Sequence, residues 1–380
     1  MKILVLGAGA QGKATIYDLA QNNDITKITV VENNLAQAEK FLKDLNDPRV
    51  SLIQADANNK TEMLPLMEQH DMIIDLLPTV FRKHITELAI EAKTNLVNTS
   101  FQSHIEHLHN QAAQADIIIM PESGLDPGID LILAGSAISR FDEVHEFHSA
   151  CGGVPTKDAC DNPLNYKISW IFEGVLSSYK RPADLIIDGK VKDIPGESIF
   201  EHSEEISIEG VGKMERHPNG KASTYARLLG IDSTVKDMGR YALRWPGHAS
   251  FWKKIVDLGL IDEDPVYGIS PRKYMAKVLE PRLSYKDAEQ DMVVLHNEIS
   301  GMKDGKYKRI TQQVIDTRDL TTGFMAMNRT VGFTASIIAQ MILKRQIKGR
   351  GILNPGKDIP YKDFKQELSK RGISVEEKES

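Results

Sequence analysis

Short apolar runs alternate with more polar segments of helical spacing over residues 1–122. The apolar runs are rich in Ile, Leu and Val and show little internal alternation, which is typical of strands buried on both faces of a sheet. The six runs are Ile3–Leu6, Ile28–Val31, Ser51–Gln54, Met72–Leu77, Asn95–Asn98 and Ile117–Met120. Six strands joined by crossover segments predict an α/β domain, a doubly wound parallel sheet of the Rossmann type.

A different pattern begins after Gly124. Asp126 suits the N-cap position of a helix and Pro127 suits the first helical position, so we expect a helix from there to about Ser139. An aspartate at such a place can cap the helix and contact a ligand as well.

The middle of the chain carries two turn signals, Asp188-Gly189 and Asp304-Gly305, each between alternating apolar stretches. Such pairs favour tight β-hairpins. Helical patterns separate the hairpins along the chain. Together these features predict a second domain over residues 123–322, of the α+β class with a mixed or antiparallel sheet.

Residues 323–375 carry a long apolar helical pattern, and we expect these helices to pack back on the first domain. Asn328, Arg329 and Gln340 interrupt the apolar run, which falls short of the roughly 18 apolar residues that a membrane span needs. The charged tail Val375–Ser380 is expected to be disordered.

Composition narrows the possible roles. A length of 380 residues fits two domains, and a net charge of −6 disfavours nucleic acid as a partner. Only two cysteines are present, which excludes a disulfide framework and favours a reducing compartment. We therefore expect a cytoplasmic protein with no membrane segment, no metal site and a small molecule as its ligand.

A phosphate-binding motif lies between the first apolar run and the first predicted helix. Gly7, Gly9 and Gly12 form G-x-G-x-x-G with Ala10 and Gln11 in the loop, and Glu32 ends the second run. The glycines permit a tight turn and close approach of a pyrophosphate to the helix N-terminus. An acid at the end of the second strand binds the ribose 2′-hydroxyl and repels a 2′-phosphate, so NAD is the expected cofactor.

Other cofactor contacts should come from residues that follow the remaining strands, because ligands bind at the carboxyl ends of such a sheet. The candidates are Asp56, Ala57, Leu77, Pro78 and Thr99. Ordinary loop chemistry explains Asp56 equally well.

Several motifs resemble the saccharopine dehydrogenase and lysine 6-dehydrogenase family. They are Gly7–Gly12, Ser123–Asp130, Cys151–Pro155, Asn162–Trp170, Leu243–His248 and Arg329–Phe333, and they span nearly the whole chain. The resemblance implies an NAD(P)-dependent oxidation at an amine-bearing carbon and a homodimer. It also implies that Ser100, Asp126, Cys151 and Arg244 line the substrate site.

One turn departs from the family pattern. In the family that this chain resembles, saccharopine dehydrogenases carry a Pro–Asn–Arg–Asp–Ser turn. The arginine of that turn helps to hold a bulky substrate with several carboxylates. Here the turn is Pro218–Ser223, with Gly220 in place of that arginine and Lys221 after it. Lysine is not equivalent to a bidentate arginine. The turn therefore favours lysine 6-dehydrogenase, which would oxidise the ε-amine of L-lysine to 2-aminoadipate 6-semialdehyde and ammonia.

This chemistry needs three kinds of group. Arg244 or Arg329 could hold the α-carboxylate, and Asp126 or Glu122 could hold the α-ammonium. A base must take a proton from the ε-ammonium before hydride can leave. Lys167 and His248 are the candidates for that base, and each is also explained as a structural residue. Together with Asp126 they form the predicted catalytic set.

Alternatives stay open at this point. The protein could be a saccharopine dehydrogenase that forms L-glutamate, or a dehydrogenase of a related carboxylated amine. A catalytic thiol at Cys151 would indicate acyl-thioester chemistry, which needs a thiolate near a base. A non-catalytic NAD sensor would need only the glycine motif.

Overall fold

The structure is a computed structural model that describes residues 1–103 and 105–380 and, at Gln37, the backbone alone. The chain divides into two compact units. Unit 1 comprises Met1–Ser136 and Asn328–Ile373, and unit 2 comprises Ala137–Met327 and Ser374–Ser380. The borders after Ser136 and Met327 lie within helices, whereas the sequence predicts boundaries near 122 and 323, and those domain boundaries stay a prediction.

Unit 1 contains a parallel sheet of seven strands in the order β3-β2-β1-β4-β5-β6-β15. The strands, numbered in chain order over both units, are β1 Lys2–Leu6, β2 Lys27–Glu32, β3 Val50–Gln54, β4 Met72–Asp75, β5 Asn95–Asn98, β6 Ile118–Met120 and β15 Gly351–Ile352. The predicted Rossmann-type sheet is confirmed. The two-residue strand β15 is too short to leave a sequence pattern.

Helices connect these strands and flank the sheet. The α-helices are α1 Ala10–Ala20, α2 Leu35–Leu45, α3 Lys60–Glu68, α4 Arg82–Ala92, α5 His109–Gln114, α6 Ile129–Ile138, α11 Ala326–Leu343, α12 Pro355–Asp358 and α13 Tyr361–Lys370, with 3-10 turns at Thr79–Phe81 and Glu106–Leu108. In strands β1 and β4 every residue except Lys2 is buried, and every residue except Lys2 and Asp75 is apolar, as expected for central parallel strands.

Within unit 1, helix α11 packs closely on helix α1. Gly332 makes this possible, because a Cβ there would lie 2.6 Å from the carbonyl oxygen of Gln11 and 2.8 Å from the Cβ of Ala14. Thr15 donates a hydrogen bond to the carbonyl oxygen of Gly332 at 2.9 Å. The C-terminal segment thus supports the helix that follows the glycine motif.

Unit 2 is built on a mixed sheet of nine strands in which β7 is central. The strands are β7 Glu143–Pro155, β8 Ala183–Ile187, β9 Lys190–Ile194, β10 Glu204–Ile208, β11 Gly212–Pro218, β12 Asp237–Arg244, β13 Asp291–Lys303, β14 Lys306–Thr317 and β16 Val375–Glu379. β12 runs parallel to β7, and β13 runs antiparallel to it. Both predicted hairpins are present, as β8–β9 and β13–β14.

Four α-helices complete unit 2: α7 Phe172–Ser178, α8 Ala222–Leu229, α9 His248–Asp257 and α10 Pro271–Leu283, with 3-10 turns at Lys157–Ala159 and Gly196–His202. Aliphatic side chains and several large aromatic ones make up the core that they form with the sheet. Trp252, Tyr166 and Tyr179 are among its largest fully buried side chains.

Two local predictions are wrong. The helix predicted to begin at Pro127, with Asp126 as its N-cap, begins at Ile129, and the Asp126–Pro127 peptide bond is cis. The carboxylate of Asp130 takes the capping role by accepting a hydrogen bond from the N–H of Gly128 at 2.7 Å.

The tail expected to be disordered is a strand. β16 pairs antiparallel with β14, whose outer edge would otherwise leave backbone groups unpaired. Glu377 binds Arg140 and Gln312 at 2.9 Å each, so the tail's charges find partners. No helix in the described residues is both long and apolar enough to cross a membrane.

Candidate functional site

The glycine motif of unit 1 forms a tight turn into helix α1. Gly7 has a φ of +93°, and a Cβ on Gly12 would lie 2.1 Å from the carbonyl oxygen of Gly7. Gly9 is different, since a Cβ there would meet nothing within 4 Å. Contacts and backbone conformation within the protein therefore account for glycine at positions 7 and 12. At Gly9 there is instead open space beside the N-terminus of the helix.

That open space lies at the N-terminus of helix α1. Helix α1 begins at Ala10, and Gly9 and Ala10 are exposed while Gln11 is half-buried. The first turn of a helix has N–H groups without partners inside the helix and carries partial positive charge. An anion placed beside Gly9 would meet those groups.

Glu32 at the end of β2 is held against the glycine loop. Its Oε2 accepts a hydrogen bond from the N–H of Ala8 at 2.8 Å. Its Oε1 accepts from the N–H groups of Asn33 and Asn34 at 2.9 and 3.0 Å. The carboxylate is thus fixed in place next to the expected position of the adenosine ribose.

The other predicted cofactor contacts vary in character. Asp56 is exposed and accepts from the N–H of Asn58 at 2.9 Å, which is the loop role expected of an aspartate in a turn. Ala57 belongs to the core of unit 1 and Pro78 is exposed. Thr99 is half-buried.

Leu77 is tied to a buried acid that sequence reasoning did not single out. The N–H of Leu77 donates to Asp75 at 3.0 Å. Burial raises the pKa of Asp75 to about 7, although the hydrogen bond from Leu77 and the charge of Arg82 act in the opposite direction. This carboxyl group ends β4, at the edge where the nucleotide is expected.

The structure brings Ser100 and Glu122 together. The N–H of Glu122 donates to the carbonyl oxygen of Ser100 at 3.0 Å, and its Oε1 accepts from the N–H of Gln102 at 3.1 Å. Glu122 is buried and has a φ of +56°. Asp126 is half-buried in the loop that follows.

Arg329 has a structural environment. Its Nη2 donates to the carbonyl oxygen of Arg371 at 3.1 Å, and its guanidinium lies 5.6 Å from the ring of Phe333. The side chain therefore fastens helix α11 to the end of helix α13. This geometry leaves Arg244 as the better candidate for a carboxylate of the substrate.

In unit 2, Cys151 and Arg244 lie on neighbouring strands. Cys151 of β7 pairs with Ala242 of β12, two residues before Arg244. The next residue, Gly152, permits the close approach of the strands, because a Cβ there would lie 2.2 Å from the carbonyl oxygen of Leu243. The Cys–Gly–Gly motif thus has a packing role beside Arg244.

Arg244 is surrounded by aromatic and imidazole rings. Its guanidinium lies 5.4 Å from the centre of the Tyr166 ring, and its Nη1 donates a hydrogen bond to the carbonyl oxygen of Leu243 at 2.7 Å. Burial raises the pKa of the nearby Tyr179, and the charge of Arg244 opposes that rise. The hydroxyl of Tyr179 is 2.7 Å from Nε2 of His248. His248 stacks on His217, with ring centres 6.4 Å apart. We name Arg244 together with these two tyrosines and two histidines the Arg244 cluster.

The Arg244 cluster carries one net positive charge without a carboxylate. Burial, with help from Arg244, lowers the pKa of His217 to about 3, and the same causes lower the pKa of His248 well below its usual value. No carboxylate among the described residues forms an ion pair with Arg244. Three buried polar atoms of the cluster have no hydrogen-bond partner among the described residues: Nε of Arg244, the hydroxyl of Tyr166 and Nδ1 of His217.

A buried guanidinium without a counter-ion is costly unless a ligand supplies one. The fork of donors on arginine matches a carboxylate. The Arg244 cluster is therefore suited to bind a carboxylate group of a substrate.

Lys167 is held in its charged form. It is buried and forms ion pairs with Glu289 at 2.5 Å and Asp161 at 2.9 Å. Burial alone would lower the pKa of Lys167, but the two ion pairs outweigh it and leave the pKa above its usual value. A lysine that stays protonated is a poor base, so the geometry argues against the predicted catalytic role.

Sequence reasoning missed Tyr179, Tyr166 and His217. Tyr166 lies inside a motif that carried the family resemblance, and it could have been considered. No motif in the sequence marks Tyr179 or His217. They join the cluster only through ring contacts between residues that are far apart along the chain. Among the described residues, no group of three or more His, Cys, Asp or Glu is placed to hold a metal ion.

Two family models match the chain. Residues 3–120 match the saccharopine dehydrogenase NADP binding domain, and residues 124–373 match the saccharopine dehydrogenase C-terminal domain. Together these matches include both the glycine motif and the Arg244 cluster.

Known relatives agree over almost the full length. The chain is 28% identical over 448 aligned positions to saccharopine dehydrogenase [NADP(+), L-glutamate-forming] of Saccharomyces cerevisiae, covering 99% of this chain and 98% of that protein. It is 27% identical to mitochondrial alpha-aminoadipic semialdehyde synthase of Mus musculus, where 98% of this chain matches 47% of that protein.

A solved structure agrees with the fold of the chain. The apo saccharopine dehydrogenase (L-Glu forming) from Saccharomyces cerevisiae matches with a TM-score of 0.87 and 26% identity, covering 100% of this chain and 99% of that one. The pyridine-nucleotide domain and the substrate domain are thus both matched, and the chain belongs to the saccharopine dehydrogenase family.

Proposed function

We propose that this protein is an L-glutamate-forming saccharopine dehydrogenase. The observation that carries the proposal is the end-to-end match to relatives of that name. It favours the alternative of the sequence analysis over the oxidative deamination of L-lysine. The Arg244 cluster supports the proposal, because saccharopine carries several carboxylates and the cluster offers a buried cation for one of them.

The reaction consists of an oxidation followed by a hydrolysis. A nicotinamide nucleotide, which the residues of unit 1 would hold, would supply the oxidant that removes a hydride from the ε-carbon of the lysine part of saccharopine, next to the secondary amine. The nitrogen loses its proton, and the carbon–nitrogen double bond that results takes up water. The bond then breaks to give L-glutamate and 2-aminoadipate 6-semialdehyde. The protein must exclude competing reactions and orient the amine, since the hydride chemistry belongs to the nucleotide.

The residues of unit 1 fit a dinucleotide. Gly9 leaves room that a Cβ would fill, and the N-terminus of helix α1 offers N–H groups to a pyrophosphate. Glu122 and Asp126 would hold an ammonium group by charge. In unit 2, Arg244 would hold a carboxylate and Tyr166 would cover the guanidinium face.

We propose NAD as the preferred cofactor, in contrast to the NADP(+) named for the yeast relative. Glu32 supports this choice, because its fixed carboxylate would repel a 2′-phosphate. No arginine follows it in Glu32–Leu35 to neutralise that phosphate.

One observation favours lysine as a second candidate substrate. The turn Pro218–Ser223 has Gly220 where the resemblance places an arginine. However, Nη2 of Arg181 donates to Oδ1 of Asn219 in this turn at 2.6 Å. A guanidinium is thus available at the turn, and we propose that it serves a carboxylate of saccharopine.

One assay tests the proposal. The purified protein is supplied with NAD or NADP and with saccharopine or L-lysine, while nucleotide reduction and L-glutamate are both measured. Reduction with saccharopine and an equal amount of L-glutamate would support the proposal. Reduction with L-lysine and release of ammonia, without activity on saccharopine, would overturn it.

The same assay tests Arg181. Arg181→Ala should raise the KM for saccharopine by about tenfold, the usual size for the loss of one charge-assisted contact. Arg227→Ala, which removes an exposed arginine of helix α8, is the matched control and should have no effect. Equal KM values for both variants would remove Arg181 from the proposal.

A further inference from the structure

Two tyrosines of unit 2 have similar surroundings but differ at the hydroxyl group. Tyr166 and Tyr179 are both buried, and their rings lie 5.3 and 5.5 Å from the ring of His248. The hydroxyl of Tyr179 lies 2.7 Å from Nε2 of His248 and therefore has a hydrogen-bond partner. The hydroxyl of Tyr166 is buried as well and has no partner among the described residues. Packing thus accounts for the Tyr166 ring but does not account for its hydroxyl.

An unpaired buried hydroxyl destabilises a folded protein, because the group loses its hydrogen bonds to water and gains none in return. Phenylalanine would fill the same space without that cost. The large majority of buried polar groups in proteins have a partner, so an exception indicates a role outside packing, such as contact with a ligand. The hydroxyl of Tyr166 is such an exception, and the groups around it indicate the ligand.

The Tyr166 ring lies beside a buried arginine that has an unused donor. The guanidinium carbon of Arg244 is 5.4 Å from the centre of the ring. Nη1 of Arg244 donates to the carbonyl oxygen of Leu243 at 2.7 Å, whereas its Nε is buried and has no partner among the described residues. The same part of the core therefore contains two polar groups without partners, one charged and one neutral.

Both groups suit the same ligand. A guanidinium only donates hydrogen bonds, and a tyrosine hydroxyl also donates when its partner is an acceptor. A carboxylate only accepts, with two oxygens and about four lone-pair sites, so it can bind both groups at once. An ammonium group would be repelled by Arg244. Burial raises the pKa of Tyr166, which keeps the hydroxyl proton in place for donation.

The backbone on both sides of Tyr166 is fixed by hydrogen bonds within unit 2. Nδ2 of Asn162 donates to the carbonyl oxygen of Tyr166 at 2.9 Å, and Oδ1 of Asn162 accepts from the N–H of Leu164 at 3.0 Å. Two residues further on, the N–H of Ile168 donates to the carbonyl oxygen of Leu283 at 2.9 Å. A side chain that is already held in this way loses little conformational freedom when a ligand binds.

We propose that Tyr166 is a substrate-binding residue whose hydroxyl donates a hydrogen bond to the carboxylate held by Arg244. The inference rests on the proposed function in that the substrate carries a carboxylate. The site then recognises that carboxylate through a charged donor and a neutral one. It discriminates against ligands without an acceptor at this position, because they would leave both donors unpaired.

The variant Tyr166→Phe tests the inference, because it removes only the hydroxyl. It should raise the KM for saccharopine about tenfold, since a hydrogen bond to a charged group is lost, with kcat changed less than about twofold. The Kd for NAD should stay at its wild-type value. The melting temperature without substrate should equal or exceed that of the wild type, because an unpaired buried group has been removed. A purely structural role would not give weaker binding without a loss of stability.

Two other tyrosines provide matched controls. Tyr179→Phe should lower the melting temperature, because it leaves Nε2 of His248 without its partner. The hydroxyl of Tyr285 is also buried without a partner among the described residues, but its ring lies 5.9 Å from the ammonium group of Lys167 and is not part of the Arg244 cluster. Tyr285→Phe should therefore leave the KM for saccharopine unchanged.

An unchanged KM in Tyr166→Phe would overturn the inference, and so would equal increases in Tyr166→Phe and Tyr285→Phe. A fall in the melting temperature of Tyr166→Phe as large as that of Tyr179→Phe, or failure of the variant to fold, would assign the hydroxyl a structural role and would also overturn it.

The proposed function is judged separately, by turnover of saccharopine in the wild type. If only L-lysine is oxidised, the function is wrong, and the inference is tested with the KM for L-lysine, which also carries a carboxylate. If neither amine is oxidised, calorimetric Kd values for the two amines replace KM, and failure of both to bind would contradict the inference.

Discussion

A guanidinium and two imidazoles lie together in the Arg244 cluster, and only the guanidinium carries a charge. Keeping the imidazoles neutral prevents three positive charges from competing for one buried space. His217 shows the effect most clearly, since burial, assisted by Arg244, lowers its pKa to about 3. The site is thereby limited to one cation, which matches one carboxylate.

The neutral state of His217 has a consequence for stability. Its pKa is lower in the folded protein than in the unfolded chain, so between about pH 3 and 6.5 the unfolded chain binds the extra proton. Stability from this residue is present above the unfolded pKa and is lost as the pH falls. His217→Phe should therefore reduce the slope of unfolding free energy against pH by up to about 1.4 kcal/mol per pH unit.

Denaturant unfolding at several values between about pH 4.5 and 6 measures that slope. Phe200→Leu is the control, because Phe200 packs on His217 with ring centres 4.8 Å apart and does not titrate. It should lower stability equally at each pH. An unchanged slope in His217→Phe would contradict the neutral state assigned to that histidine.

The proposed preference for NAD also depends on one residue, Glu32. Glu32→Gln removes the negative charge and keeps an oxygen that can accept from the N–H of Ala8. The ratio of kcat/KM for NAD to that for NADP should fall about tenfold or more, because the repulsion of the 2′-phosphate is lost. Glu39→Gln, on the exposed side of helix α2, is the control. A wild type that already prefers NADP would contradict the proposal.

At the scale of elements, two glycines of unit 1 do different work near helix α1. Gly9 has φ and ψ of −66° and −167°, which alanine can also adopt, and it has open space beside it. Gly332 lies against helix α1, where a Cβ would be 2.6 Å from the carbonyl oxygen of Gln11. We propose that Gly9 serves the ligand, whereas Gly332 serves helix packing.

The two alanine variants should therefore separate affinity from stability. Gly9→Ala should leave the melting temperature unchanged and weaken NAD binding at least about tenfold. Gly332→Ala should lower the melting temperature, because overpacking costs about 1–3 kcal/mol. Calorimetry and thermal unfolding measure both quantities. A Gly9→Ala protein with wild-type affinity for NAD would show that the pyrophosphate does not bind there.

Elements with strong local patterns were predictable from the sequence, and elements defined by long-range contacts were not. Strands β1 to β6 and both hairpins follow from apolar runs and Asp-Gly turns. The tail strand β16 was predicted wrongly, because its charged residues gain partners only when it lies on β14. The start of helix α6 was also predicted wrongly. The backbone before Ile129 is not helical, and Gly128 in that stretch has a φ of +149°.

The same division applies to the candidate site. The spacing of the glycine motif and Glu32 was enough to predict a dinucleotide site, and the family resemblance was enough to single out Arg244. The identity of the base stays a prediction, and the surroundings of both candidates disfavour it, since Lys167 has two ion pairs and His248 shares a hydrogen bond with Tyr179. A sequence does not reveal such partners, because they come from elements far apart along the chain.

At the scale of the whole molecule, the chain leaves unit 1 after Ser136, builds unit 2, and returns at Asn328. The residues proposed to bind the nucleotide belong to unit 1, and the Arg244 cluster belongs to unit 2. The proposed function needs both sets of residues. A substitution in either set should therefore reduce turnover without unfolding the unit that does not carry it. Homodimerisation, implied by the family resemblance, stays a prediction that sedimentation can test.

The most direct test of the account compares two buried arginines of strand β12. Arg244→Lys should lower kcat/KM for saccharopine by about a hundredfold, mainly through KM, because a lysine cannot reproduce the bidentate contact. Arg240 is equally buried, but its guanidinium lies 3.8 Å from the ring of Tyr225, so Arg240→Lys should change kcat/KM by less than about threefold. Equal losses in the two variants, or full activity in Arg244→Lys, would contradict the carboxylate site on which the proposed function depends.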